Sequence, residues 1–192
     1  MDEASRKTIT KYVEDLHSLE SHGLQPIRRQ LAERQMGGHP EALPAVREFE
    51  RVLQTHVDAL NARLQVLGTS PTTAVQDAAA SVAGWVAGFY NQIRTEAVSK
   101  SIRDDYTFFS HCAVSYMMLA TTARALGDHD TEELAEAGYR DHARLVIEID
   151  RLLPTVVVQE LQQDQLPAQD VSDWARHIVQ SAWERQTTTP SA

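Results

Sequence analysis

Four residues with metal-binding side chains fall inside otherwise apolar helical patterns of this 192-residue chain. Glu20, His56 and Asp141 each lie three or four residues from a leucine, and His142 directly follows Asp141. Side chains three or four residues apart share one face of an α-helix, so this spacing predicts that Glu20, His56 and Asp141 face the core. Cys112 lies four residues before a tyrosine in the same kind of pattern and is a fifth candidate.

This combination of residue types points to metal chemistry. Carboxylates and imidazoles that converge from several helices can hold iron or manganese, because a buried charge must be paired or coordinated to offset its desolvation. The predicted ligands are Glu20, His56, Asp141 and His142, with Cys112 as an additional ligand.

The same residues also have an interpretation without metal, which the sequence favours. Glu20 and His56 would then form a hydrogen-bonded pair inside the fold, and Cys112 would be an inert buried thiol that fills space. The core positions of the second and third helices carry no Glu-x-x-His or Glu-x-x-Glu pair, although known two-metal helical sites use such pairs. The expected cofactor is therefore none, or weakly bound iron or manganese.

Long helices must position these side chains. Apolar residues recur at steps of three and four along most of the chain, whereas alternating strand patterns are nearly absent. We predict helices at about 6–35, 40–67 and 94–126, a connecting helix at about 71–91, a fourth long helix capped by Asp130 or Thr131 and interrupted at Pro154, and a last helix at about 171–185. The predicted fold is all-α: a ferritin-like four-helix bundle of two antiparallel hairpins, with a crossover connector and an extra C-terminal helix.

The chain divides into a predicted bundle at residues 1–160 and a C-terminal extension at residues 161–192. The last helix places Trp174, Ile178 and Trp183 on one apolar side, which we expect to dock on the bundle. The alternative is that this side recruits an unidentified protein partner.

Composition and net charge argue against several classes of function and location. A formal net charge of −9 argues against binding to nucleic acid or to an anionic membrane surface. The most apolar stretch, residues 78–90, is shorter than the roughly 20 residues that cross a bilayer. One cysteine and an acidic start at MDEASRKTIT predict a cytoplasmic protein without an internal disulfide.

Three segments carry a resemblance to a known family: HSLESHGL at 17–24, NARLQVLGTSPTTAVQDAA at 61–79 and SYMMLATTARALGD at 115–128. Over roughly residues 8–150 the chain resembles the bacterial YciE/YciF-like family of ferritin-like stress proteins. The resemblance implies a ferritin-like fold, a ligand role for Glu20 on the first helix, and an acidic cluster on the fourth. Where the family places glutamates on the second and third helices, this chain has Val52, Phe109 and Cys112.

Three functions follow as hypotheses. The first is a stress-associated binding or structural protein whose metal site has degenerated, and the second is an iron or manganese protein that handles redox chemistry or peroxide. The third is a helical scaffold that recruits a partner through its last helix. Because ferritin-like proteins associate through helix faces, we also expect a homodimer or a larger homo-oligomer.

Overall fold

The described part of the chain is helical throughout. A computed structural model describes residues 1–69, 97–166 and 169–186, and contains no strand within these ranges. The elements are α1 at Glu3–Ala32, a short 3-10 helix at Arg34–Gly38, α2 at Ala42–Val66, α3 at Val98–Leu126, α4 at His129–Gln163 and α5 at Ser172–Gln186. The predicted all-α class is confirmed, while the predicted connector at 71–91 lies outside the described residues.

Helix α4 differs from its prediction at both ends. It is capped by Asp128, rather than by Asp130 or Thr131, because the Asp128 carboxylate accepts the backbone N–H of Thr131. The preceding Gly127 ends α3 at φ 74°, a left-handed conformation that glycine adopts without strain. Pro154 does not interrupt α4, which continues to Gln163. Proline removes a single backbone donor, and the turns beyond it are held by the burial of Val156 and Val158.

Helix α1 runs antiparallel to both α2 and α3. Arg28 of α1 contacts Glu50 of α2, whereas Glu20, two turns earlier, contacts His56 further along α2. Towards α3, Gln30 near the end of α1 donates to Asp105, close to the start of α3. These contacts set the register in which Glu20 meets the other helices.

Helix α4 runs antiparallel to both α2 and α3. The start of α3 contacts the end of α4 through Ser99 and Glu160, and the end of α3 contacts the start of α4 through Arg124 and Glu132. Helices α2 and α3 consequently point in the same direction. The predicted boundary between residues 160 and 161 falls inside α4.

The four long helices enclose one apolar core. Its largest fully buried side chains include Phe49 of α2, Phe108 and Tyr116 of α3, and Leu145 of α4. Helix α5 packs against α4. Its Trp174 is 65% exposed, so the expected docking on the bundle does not hold for this side chain. None of the described helices combines the length and the apolar composition needed to cross a bilayer.

An arginine clamp fixes the end of α2 to the start of α4. Arg63 donates to Asp128 at 2.5 Å and to Thr131 Oγ1 at 2.7 Å, and both members of the Arg63–Asp128 pair are nearly excluded from solvent. Burial alone would raise the pKa of Asp128, but the bonds from Arg63 and Thr131 outweigh it and lower that pKa. The clamp therefore holds a buried carboxylate in its charged form.

Removing the arginine should strand this carboxylate. We expect Arg63→Met to lower the free energy of unfolding by about 3 kcal/mol, because Asp128 would stay buried with its bonds from Thr131 but without the positive charge that balances it. Adding Asp128→Asn should restore part of the loss, since asparagine also caps helices. Urea unfolding followed by circular dichroism measures the change.

Arg124→Met is the matched control, because the Arg124 side chain is 75% exposed in its pair with Glu132. Exposed pairs contribute little, so this variant should change stability by less than about 1 kcal/mol. Equal losses in the two single variants would contradict the assignment of the clamp.

Candidate metal centre

Glu20, His56 and His142 meet at the centre of the fold, and they come from three different helices. His142 Nε2 lies 2.6 Å from Glu20 Oε1, and His56 Nδ1 lies 3.4 Å from the same oxygen. The two imidazole nitrogens are 3.2 Å apart. These three side chains are buried and close enough to bind one metal ion.

Aromatic rings of α3 close the site on one side. The ring of His142 stacks on Phe109 at 5.6 Å and on Tyr116 at 5.4 Å, with an interplanar angle of 28° in both cases. Tyr116 also presents an edge contact to His56 at 5.5 Å. The imidazole rings are therefore held in place by packing as well as by hydrogen bonds, and water is excluded from this side.

The charge of Glu20 is stabilised by its two histidines. Burial alone would raise the pKa of the Glu20 carboxyl, but the attraction of His142 and the hydrogen bonds from His142 and His56 lower it to about 2. Burial alone would lower the pKa of His56, yet its bonds to Glu20 and Asp141 raise it. The site is thus arranged to keep a carboxylate ionised without water.

Hydrogen bonding within the cluster cannot satisfy every short contact. An imidazole nitrogen either carries a proton or offers a lone pair. With Glu20 ionised, His142 Nε2 that donates to Glu20 cannot also accept from His56 Nδ1, so at most two of the three contacts are hydrogen bonds at once. His142 Nδ1 also has no hydrogen-bond partner among the described residues, whereas Glu20 lies close enough to Tyr116 that burial, its charge and a hydrogen bond raise the pKa of the tyrosine. The metal-free network is therefore incomplete.

Two sides of the donor triangle have the length that one metal ion requires, and the third, between Glu20 and His142, is short enough to be a hydrogen bond. Metal–nitrogen and metal–oxygen bonds are about 2.0–2.2 Å long. Neighbouring ligand atoms then lie about 3.0 Å apart in an octahedral site and about 3.4 Å apart in a tetrahedral one. The observed separations of 2.6, 3.2 and 3.4 Å bracket these values. An ion beside this triangle would attract all three donor atoms. Glu20 Oε2 could join them as a further ligand atom.

Asp141 contacts the site from outside the donor triangle. Its Oδ2 lies 3.2 Å from His56 Nε2, the nitrogen that points away from Glu20, and its side chain is 45% exposed. The expectation that the Asp141 carboxylate faces the core is therefore wrong. Consecutive helical residues differ by about 100° in direction, so when His142 occupies the core position its neighbour falls at the edge.

Cys112 lies beside the centre but outside the cluster of ligand atoms. Its thiol is fully buried, and burial together with the charge of Glu20 raises its pKa well above the ordinary value. Metal ligation requires the thiolate. Because Cys112 lies outside the cluster of ligand atoms, we interpret it as a buried, protonated thiol.

Tyr116 and Gly138 contribute to the site without having been singled out from the sequence. A Cβ atom at Gly138 would overlap the Tyr116 ring, so glycine lets this ring lie directly against α4. Gly138 precedes His142 by one helical turn, which aligns the ring with the imidazole. A glycine inside a strong helical pattern costs about 1 kcal/mol relative to alanine. This unfavourable choice of residue was the one sequence signal that could have drawn attention to Gly138.

Filling this space should disturb the centre. We expect Gly138→Ala to displace Tyr116 from His142 and to lower the free energy of unfolding by roughly 1–3 kcal/mol, the usual cost of overpacking. Near-ultraviolet circular dichroism reports the displaced tyrosine. Gly37→Ala is the matched control, since a Cβ there meets nothing within 4 Å, and it should leave both readouts close to wild type. A stable Gly138→Ala protein with unchanged aromatic signals would contradict the role of this glycine.

Comparison of the chain with protein-family models, with curated proteins and with solved structures finds no match. The functional interpretation therefore rests on the geometry of the site and on the segments quoted from the sequence.

Proposed function

We propose that this protein binds one transition-metal ion between Glu20, His56 and His142. The observation that carries the proposal is the triangle of three buried donor atoms, whose size fits a single ion and whose contacts cannot all be hydrogen bonds. A metal ion between these side chains would balance the buried carboxylate and use the lone pairs of both imidazoles.

The donor set favours iron, with manganese as the next candidate. Two histidines and one carboxylate that leave coordination positions open are typical of non-haem Fe(II) sites. The same set also binds zinc, because affinity alone does not separate these ions. No thiolate takes part, since Cys112 lies outside the cluster.

One ion is proposed rather than two because the further ligands of a two-metal centre are missing. Val52 and Phe109, which stand where the YciE/YciF-like family has glutamates, are buried apolar side chains here. They have no atoms that could bind a second ion. The resemblance to that family remains a proposal that rests on the quoted segments.

The direction of the helices supports the proposed ferritin-like arrangement. Helices α2 and α3 point the same way, so Val66 and Val98 belong to opposite ends of the fold. Ends placed in this way are compatible with the crossover connectivity of ferritin-like bundles. A hairpin between α2 and α3 would instead have made them antiparallel.

Redox or peroxide chemistry is the reaction class that such a centre would support. Three protein ligands leave room for a small molecule on the ion. The aromatic wall of Phe109 and Tyr116 keeps bulk water away from the imidazole faces. Because the three donors are buried, the proposed substrate is as small as peroxide, and consumption of peroxide by the iron-loaded chain tests this assignment.

The second candidate is a binding or structural protein with a degenerate site. The observation in its favour is the 2.6 Å contact between His142 and Glu20, which stabilises the carboxylate without any ion. The metal analysis described below separates the two candidates. The proposed stress association, the homo-oligomer and a partner recruited by α5 remain predictions.

Metal content of the untagged protein tests the proposal. We expect about one iron, manganese or zinc ion per chain by elemental analysis, or tight uptake of one Co²⁺ after treatment with a chelator. Glu20→Gln and His142→Gln should each weaken Co²⁺ binding at least tenfold, because each removes one of three ligands. His56→Gln provides a third variant if either of these fails to fold.

His111→Gln is the matched control, because His111 is an exposed histidine of α3 outside the cluster. It should bind Co²⁺ as the wild type does, and circular dichroism should show that each variant remains helical. A wild-type chain that is purified without metal and takes up no Co²⁺ would favour the degenerate site instead.

A further inference from the structure

We propose that Asp141 is a positioning residue that holds the Nε2 proton of His56, so that Nδ1 is the nitrogen that would give up its proton to a metal ion beside Glu20 and His142. This inference rests on the proposed metal site, and it assigns Asp141 a role different from that of a ligand. It follows from the two-sided contacts of the His56 ring.

His56 lies between two carboxylates that address different nitrogens. Its Nδ1 faces Glu20 at 3.4 Å, on the buried side, and its Nε2 faces Asp141 at 3.2 Å, towards the surface. The edge contact with Tyr116 limits rotation of the ring. Asp141 is therefore placed to select which nitrogen of His56 is available inside.

A neutral imidazole carries one proton, and the partner of one nitrogen decides the state of the other. Without a metal ion each nitrogen of His56 faces a carboxylate and can donate to it. If a metal ion displaced the Nδ1 proton, the Asp141 carboxylate would keep the remaining N–H on Nε2. A metal ion between the three donors would need this tautomer, because Nδ1 is the His56 nitrogen that lies beside Glu20 and His142. A carboxylate behind a ligating histidine also makes the imidazole a stronger donor to the metal.

Exposed charged side chains of α2 and α4 lie around Asp141. Arg144, three residues further along α4, lies 3.7 Å from Asp141 Oδ1 and donates to Glu48 of α2 at 3.0 Å. Glu48 in turn accepts two bonds from Arg51. Asp141 is nearly half exposed, and Arg144 adds a positive charge beside its carboxylate.

Adjacent residues of α4 thus serve the site from two directions. His142 supplies a donor atom directly, whereas Asp141 acts on a donor from the neighbouring helix α2. Both roles follow from the position of this part of α4 against α2. His142 faces the core, and Asp141, which precedes it, faces α2.

Asp141→Ala tests the assignment on the zinc-loaded protein. In ¹⁵N-histidine NMR of the wild type we expect His56 to carry its proton on Nε2 and to bind zinc through Nδ1. Asp141→Ala should let zinc bind His56 through either nitrogen and should weaken Co²⁺ affinity by about 10- to 100-fold, the usual effect of removing such a carboxylate. Asp141→Asn should rescue most of the affinity, because its amide oxygen still accepts the Nε2 proton.

Glu148→Ala is the matched control, since Glu148 also lies beside Arg144 but has no contact with His56. It should leave the His56 tautomer and the Co²⁺ affinity unchanged.

If the wild type binds metal and Asp141→Ala behaves like Glu148→Ala, the positioning role is overturned while the metal site stands. If Asp141→Asn binds as weakly as Asp141→Ala, its charge rather than its hydrogen bond matters and the tautomer assignment fails. A wild type that binds neither Zn²⁺ nor Co²⁺ would overturn the proposed function itself.

Discussion

The burial of the Glu20 carboxylate is the constraint on which the centre of this structure depends. Glu20 is fully excluded from solvent and its pKa is lowered, so the fold must compensate a negative charge without water. An uncompensated buried charge would cost several kcal/mol. His56 and His142 supply the compensation, and their convergence on one oxygen gives the site both its charge balance and its resemblance to a metal centre.

Helix α4 links this constraint to the rest of the fold. Its first turn is fixed to α2 by the Arg63 clamp, and Gly138 then admits the Tyr116 ring of α3. One turn later, His142 reaches Glu20 and Asp141 reaches His56. Because α4 runs straight through these contacts as one helix, a displacement at any of them would be transmitted to the donor triangle.

Spacing alone was sufficient to identify the core of the site. Glu20 and His56 lie in leucine stripes, and both are buried as that pattern indicates. Spacing was not sufficient to decide whether Asp141 or His142 faces the core. The two residues are adjacent in the sequence, and which of them is buried depends on how α2 and α3 pack against α4. The Tyr116 contact depends on Gly138, 22 positions later in the sequence, and no local pattern links the two. Likewise, the continuation of α4 past Pro154 depends on tertiary burial of Val156 and Val158, which overrides the local preference.

Anomalous X-ray diffraction from crystals of the metal-loaded protein tests the central claim most directly. Data collected on both sides of the absorption edge of iron, or of cobalt as its substitute, locate the ion independently of any assumed ligand. The account predicts a single peak about 2.0–2.2 Å from Glu20 Oε1, His56 Nδ1 and His142 Nε2. A peak at Asp141 or elsewhere on the surface, or no peak from protein exposed to excess metal, would contradict it.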